Sequence, residues 1–194
     1  MAAFVLGNGV SRRDIDVNYL ISLGNVYGCN ALYRTHTPTA LVATDHPIAR
    51  EIQESGYSSK HRFYTRRPLP NYGAQVVPKP YFGFSSGPIA VAVAAADKNP
   101  QIYLLGFDLG ANQHGKFNNL YASTQHYKPE NSTPTYTGNW IKQLIRVMQD
   151  FSGQQFTRVL GPTTADIAEF KEVKNYSTLP LELFLERINN KKDL

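Results

Sequence analysis

Short apolar runs of strand length alternate along this chain with segments of helical period. Ala3 to Gly7, Val26 to Cys29, Ala40 to Thr44, Ile102 to Leu105 and Phe156 to Leu160 read as strands. Arg12 to Leu23 has the spacing of a helix, as does Trp140 to Phe151, where Ile141, Leu144, Ile145 and Met148 share one face. His46 to Ser55 places Ile48 and Ile52 at i, i+4, with Pro47 at a first helical position and Gly56 past the end. Ser85-Ser86-Gly87-Pro88 opens a small-residue helix over Ile89 to Asp97, and Thr164 to Phe170 and Leu179 to Ile188 are the last expected helices. Arg62 to Tyr64 reads as a short strand, whereas Arg67 to Phe84 contains four prolines and two glycines and is expected to be a loop.

Strands alternating with helices predict an α/β fold: a Rossmann-like, doubly wound, mostly parallel sheet with helices on both faces, in a single domain spanning 1–194. Leu109 to Asn139 is polar and lacks apolar periodicity. A stretch of ~30 irregular residues exceeds ordinary loop lengths, so 109–139 is expected to be a lid or binding loop.

In such a sheet ligands gather at the carboxyl ends of the strands, where this chain places Asn8, Asn30, Asp45, Ser86 and Asp108. Each alone is also an ordinary cap or turn residue, and their shared position raises the functional reading. The first strand runs into Gly7-Asn8-Gly9-Val10-Ser11. Glycines let the backbone turn and approach a ligand, and the N–H groups opening a following helix suit a phosphate. The competing reading is a tight turn with Ser11 as helix cap. Ser85, Ser86 and Gly87 make a second such entry, facing the strand end at Asp108. Arg12 replaces the third glycine of the dinucleotide fingerprint and Asn30 the acid of the next strand, which disfavours NAD; no Gly-Lys-Ser/Thr follows, which disfavours a P-loop.

Composition narrows the classes further. Of 194 residues, 42% are apolar, enough for one substantial core. The longest purely apolar run, Ile89 to Ala96, is too short to span a bilayer, and no leader-like segment opens the chain, so a cytoplasmic protein without a membrane span is expected. Cys29 is the sole cysteine, which excludes an internal disulfide and a cysteine-based zinc site, and no two histidines have metal-pair spacing. No Gly-x-Ser-x-Gly elbow supports a hydrolase. The net charge of +5 favours phosphate-bearing partners. Lys60 to Arg67 interleaves cations with aromatics as a single-strand nucleic-acid surface would, although a solvated edge strand is the simpler reading.

Three separated motifs occur in one order: Gly7-Asn8-Gly9-Val10-Ser11 with Asp14-Ile15-Asp16, then Gly28-Cys29-Asn30-Ala31-Leu32-Tyr33, then Ser85-Ser86-Gly87 with its small apolar helix and Ile102-Tyr103-Leu104-Leu105-Gly106-Phe107-Asp108. In that order and local pattern the chain resembles the bacterial sialyltransferases of the Campylobacter lipooligosaccharide type and their wider relatives, which include a DUF115-like group with archaeal pterin diphosphokinases. The resemblance implies a glycosyltransferase that binds a CMP-sugar, with Asn8, Asn30 and Ser86 at the cytidine nucleotide, and that passes the sugar to an acceptor glycan or other hydroxyl compound. The chain departs from the family where Gly110 and Lys116 stand at the expected tyrosines, Thr135 and Tyr136 at the expected histidine, and Asp45 at an asparagine beside the phosphate. His126 is then the candidate base, with Tyr127, Tyr121 or Lys116 at the leaving phosphate. No cofactor is needed for a CMP-sugar; a diphosphokinase-like relative would require Mg²⁺, held by Asp45 and Asp108. A non-catalytic nucleotide-binding or interaction protein is the alternative, and a homo-oligomer is left open.

Overall fold

A computed structural model describes residues 2–190. The six expected strands and two more form one all-parallel sheet: β1 (Ala2–Leu6), β2 (Asn25–Cys29), β3 (Ala40–Val42), β4 (Phe63–Thr65), β5 (Gln75–Val76), β6 (Gln101–Leu105), β7 (Gln155–Leu160) and β8 (Tyr176–Pro180), with β5 and β8 the additions. Their spatial order is β5-β4-β3-β2-β1-β6-β7-β8. The chain winds outward from β1 to β5, returns to place β6 on the other side of β1, and winds outward again. The β1/β6 junction is therefore the topological switch point at which a doubly wound sheet opens a crevice.

The helices are α1 (Val17–Leu23), α2 (His46–Glu54), α3 (Ser86–Ala96), α4 (Gly138–Asp150) and α5 (Leu181–Asn189). Side chains alternate across the sheet, and each face buries its own core. Ala3, Val5, Ile102 and Leu104 pack with Ile89 and Val93 of α3 and Leu144 and Val147 of α4. Phe4, Leu6, Tyr103 and Leu105 pack with Leu20 of α1, Ile48 and Ile52 of α2, and Phe184 and Ile188 of α5. Helices thus cover both faces, as the Rossmann-like reading requires. Residues Ile89 to Ala95 of α3 are buried all round, because it lies between the sheet and α4; its alanines permit that close approach. None of the described helices is long and apolar enough to cross a membrane.

Several boundaries differ from expectation for identifiable reasons. The first helix starts at Val17, because the Asp16 carboxylate accepts from the N–H groups of Asn18 and Tyr19 at 2.9 and 3.2 Å and caps it there. Residues Val10–Arg12 form only a 3-10 turn, and Ser11 caps nothing. β5 falls inside the segment expected to be a loop; two residues suffice because they pair with Tyr64 and Thr65 of β4. β8 is polar and carries no apolar run, yet it pairs along its length with β7. The helix expected at Thr164 to Phe170 is a 3-10 turn at Ala168–Glu172, and the last helix begins at Leu181, after β8 has taken Leu179 and Pro180.

Candidate functional site

A cleft of about 860 Å³, counted to its open mouth, lies over the carboxyl ends of β1, β2, β3 and β6. Its accessible interior is about 160 Å³, smaller than the roughly 300–1,000 Å³ of a typical small-molecule pocket. Gly7, Asn8, Gly9, Asn30, Asp45, Ser86, Gly87 and Asp108 all line it. Residues distant in sequence converge because parallel strands all end on the same side.

The glycine turn does not act as an open phosphate cradle. Gly7 N–H donates to Leu105 O at 2.8 Å, Gly9 N–H to Gly106 O at 2.8 Å, Val10 N–H to Asn118 Oδ1 at 2.9 Å and Ser11 N–H to Asp108 Oδ2 at 3.0 Å. A Cβ on Gly7 would stand 2.5 Å from Gly106 O, and one on Gly9 2.5 Å from Asp108 Cγ. These glycines are small so that the β1 and β6 ends can dock on each other.

Asp108 is the hub of that docking. Its carboxylate, 3% exposed, accepts from the Ser11 N–H and hydroxyl, from Thr163 Oγ1 at 2.9 Å and from Thr164 Oγ1 at 3.4 Å. Four donors fill the acceptor capacity of a carboxylate. The residues present therefore do not fit a divalent ion shared between Asp45 and Asp108, and no group of three metal-ligating side chains occurs among the described residues. Arg158, also buried, holds the same segment by donating to the carbonyls of Phe107, Asp108 and Ala165.

Donors for a ligand remain at the start of α3. The first N–H groups of a helix have no partner within it, and Ser86 and Gly87 present theirs at the cleft wall. The Ser86 hydroxyl itself accepts from Thr44 N–H at 3.0 Å and pairs with Thr44 Oγ1, which fixes α3 against the end of β3. Ser85 lies outside the lining and accepts from the Trp140 indole N–H at 2.9 Å.

Asn30 follows β2 and opens a 3-10 turn with φ of 53°, in the left-handed region that asparagine tolerates. Its Oδ1 is shielded from solvent without a hydrogen-bond partner. An unpaired buried acceptor is costly and calls for a donor. Beside it, burial pushes the Cys29 thiol up to about 12.

Sequence reasoning missed the aromatic wall. Phe107, Phe117 and Trp140 line the cleft with Asn118 and Asn119 of the long loop. The Phe117-Asn118-Asn119 run was the available signal, one aromatic residue beside two amides in a largely polar stretch. That loop carries no regular structure up to α4, and it is tied down. Leu120 N–H donates to Asn8 O at 2.8 Å, and Ala31 N–H to the Tyr127 hydroxyl at 3.2 Å.

No family model, curated protein or solved structure matches this chain.

The three candidate catalytic residues stand outside the cleft wall. His126 and Tyr127 line an adjoining pocket that shares Asn30 and Asp45 with it. His126 Nε2 lies 2.7 Å from Glu51 Oε2, and Glu51 also accepts from Tyr33 and, at 3.2 Å, from Arg34. Arg34 reaches on to Thr124 and to Gln125 O, so this cluster clasps the loop to α2. Lys116 is exposed and lines neither cavity. Asp45 occupies the capping position of α2 but makes no capping bond.

The basic cluster is divided between the two ends of β4. Arg62, at its start, makes a bidentate pair with Asp97 at 2.6 and 2.9 Å. Arg66 and Arg67 follow its end, on the side of the cleft. The cations thus form no continuous strip of the kind a single strand would track.

Proposed function

We propose that the cleft binds the nucleotide of a CMP-sugar and that the chain transfers the sugar to an acceptor hydroxyl. The observation that carries this reading is the convergence of Asn8, Asn30 and the start of α3 on a cleft walled by Phe107, Phe117 and Trp140. Aromatic walls suit a base, and the Asn30 amide, once its shielded Oδ1 turns toward the cleft, suits the exocyclic amine of cytosine, which uracil lacks. The α3 N-terminus supplies N–H groups and partial positive charge for the phosphate.

In this reading the bond between the sugar's anomeric carbon and the phosphate oxygen breaks and CMP leaves as an anion at Ser86 and Gly87. The acceptor oxygen bonds to the anomeric carbon, and its proton passes to His126, whose Nε2 is held by Glu51. Binding without transfer is a second reading, favoured by the position of His126, Tyr127 and Lys116 outside the cleft wall.

Thermal unfolding against CMP, UMP, UDP, ATP and NAD tests the first part. At ~100 times its dissociation constant a ligand stabilises the native state by about 2.7 kcal/mol, roughly 5–10 °C for this size. CMP should stabilise more than UMP, and Asn30→Ala should erase the difference. Equal responses to CMP and UMP, or none to any nucleotide, would refute the reading. CMP release from CMP-sialic acid that is lost in His126→Ala supports transfer; CMP binding without release supports the second reading.

A further inference from the structure

Past Asp45 the crest of the sheet continues into a groove at the ends of β3 and β4, which shares Thr44 and Asp45 with the cleft. Arg50, Arg66 and Arg67 line it. Arg50 is paired with Glu54 at 2.6 Å, whereas no carboxylate pairs with Arg66 or Arg67 among the described residues. Two guanidinium charges therefore stand in this groove outside any ion pair, with Asp45 the carboxylate among its lining residues.

The side chain of Arg66 is held in place, and so is the backbone that carries Arg67. Arg66 donates through Nε to Phe82 O at 2.7 Å and through Nη2 to Phe84 O at 2.6 Å, which fixes the plane of its fork and leaves Nη1. The turn that carries Arg67 is pinned by Gln53, a glutamine only 1% exposed. Its Oε1 accepts from Leu69 N–H at 2.7 Å, and its Nε2 donates to Ala49 O at 3.0 Å and to Arg67 O at 3.5 Å. Pro68 and Pro70 stiffen the same turn. The placed fork of Arg66 and the stiffened turn that carries the exposed Arg67 make a partly preorganised oxyanion seat, on which the Arg67 side chain closes when the anion binds.

We infer that this groove is a second subsite that takes an oxyanion, phosphate or carboxylate, borne by the acceptor. Asp45 stands on the boundary between the groove and the cleft, exposed and uncapping. Its negative charge opposes one phosphate spanning both, so the anion in the groove is a separate group from the nucleotide phosphate. The word acceptor rests on the transferase reading; the oxyanion site does not.

The test is a titration of ¹⁵N-labelled protein with inorganic phosphate and, in a separate arm, with glucuronate, following backbone amides and arginine Nε–H signals. Saturable shifts are expected in residues 65–69 and at Thr44, and CMP added first should leave them in place. Arg67→Ala, an exposed substitution, should weaken binding by about fivefold or more, with Arg67→Lys between it and the parent. Arg13→Ala, an exposed charge elsewhere, should change nothing. The arm that saturates at the lower concentration identifies the group. Equal loss in Arg13→Ala and Arg67→Ala, displacement of phosphate by CMP, or no saturable shift in either arm would overturn the inference. Failure of CMP to bind while these shifts persist would remove the nucleotide reading and leave this site standing.

Discussion

Replacing Asp108 separates a folding role from a ligand role. In Asp108→Ala the Ser11 N–H and hydroxyl and the Thr163 and Thr164 hydroxyls lose their acceptor at a site 3% exposed. The hydroxyls can turn to other partners; the backbone N–H cannot. Taking about 1 kcal/mol for each of the three short bonds and 1–2 kcal/mol for the orphaned N–H gives a loss of about 4–5 kcal/mol. At about 2–4 °C per kcal/mol, Tm should fall by roughly 8–20 °C. Asp108→Asn is the informative partner. Its amide oxygen can take the Oδ2 position and accept from Ser11 N–H and Thr163, while its NH₂ faces hydroxyls able to accept. The cost should be only about 1–2 kcal/mol. Calorimetry or far-UV CD melts of the three proteins, each with and without CMP, make the comparison. A Tm unchanged in Asp108→Ala together with lost nucleotide binding would show that the carboxylate serves the ligand and would refute the hub.

Two further outcomes follow from the chemistry of the site. Burial opposes ionisation of Glu51, but hydrogen bonds from Tyr33, His126 and Arg34 outweigh it and hold the carboxyl below its ordinary value of 4.5. A depressed folded pKa gives stability that is complete above that ordinary value and lost as pH falls through the folded one, so Glu51→Gln should flatten the acid limb of stability in melts between about pH 3 and 7; an unchanged limb would rule the clasp out as its source. The Cys29 thiol, buried and pushed up to about 12, should resist maleimide in the folded protein near neutral pH and react once unfolded; rapid stoichiometric labelling of the native state would contradict its burial.

Much of the architecture was legible because β1, β2, β3 and β6 are continuous apolar runs, and such runs have few alternatives to a strand buried on both faces. β8 was not legible, since Tyr176 to Thr178 owe their extended form to pairing with β7 and not to their own pattern. The site divides in the same way. Asn8, Asn30, Asp45 and Ser86 could be named from the sequence because a parallel sheet must bring its strand ends together. What occupies the space around each one could not. The glycines of the first turn look alike in sequence whether their missing side chains admit a phosphate or the carbonyl of Gly106, and only the register of β1 against β6 decides. His126 was chosen for its chemistry, and its pairing with Glu51 spans 75 positions that no local pattern reports.

The two margins of the sheet bear on how copies of this chain can meet. β5 offers two exposed residues, and the prolines at 68, 70, 78 and 80 flank it. At the other margin β8 ends in Pro180, which has no N–H to extend a ladder, and α5 begins at the next residue. Neither border is a template on which a foreign strand could continue the hydrogen bonding for long. Eight parallel strands would otherwise be an invitation to edge-to-edge growth. Any self-association of this protein is therefore steered toward helix-covered faces or the rim of the cleft, and away from ribbon-like stacking of sheets.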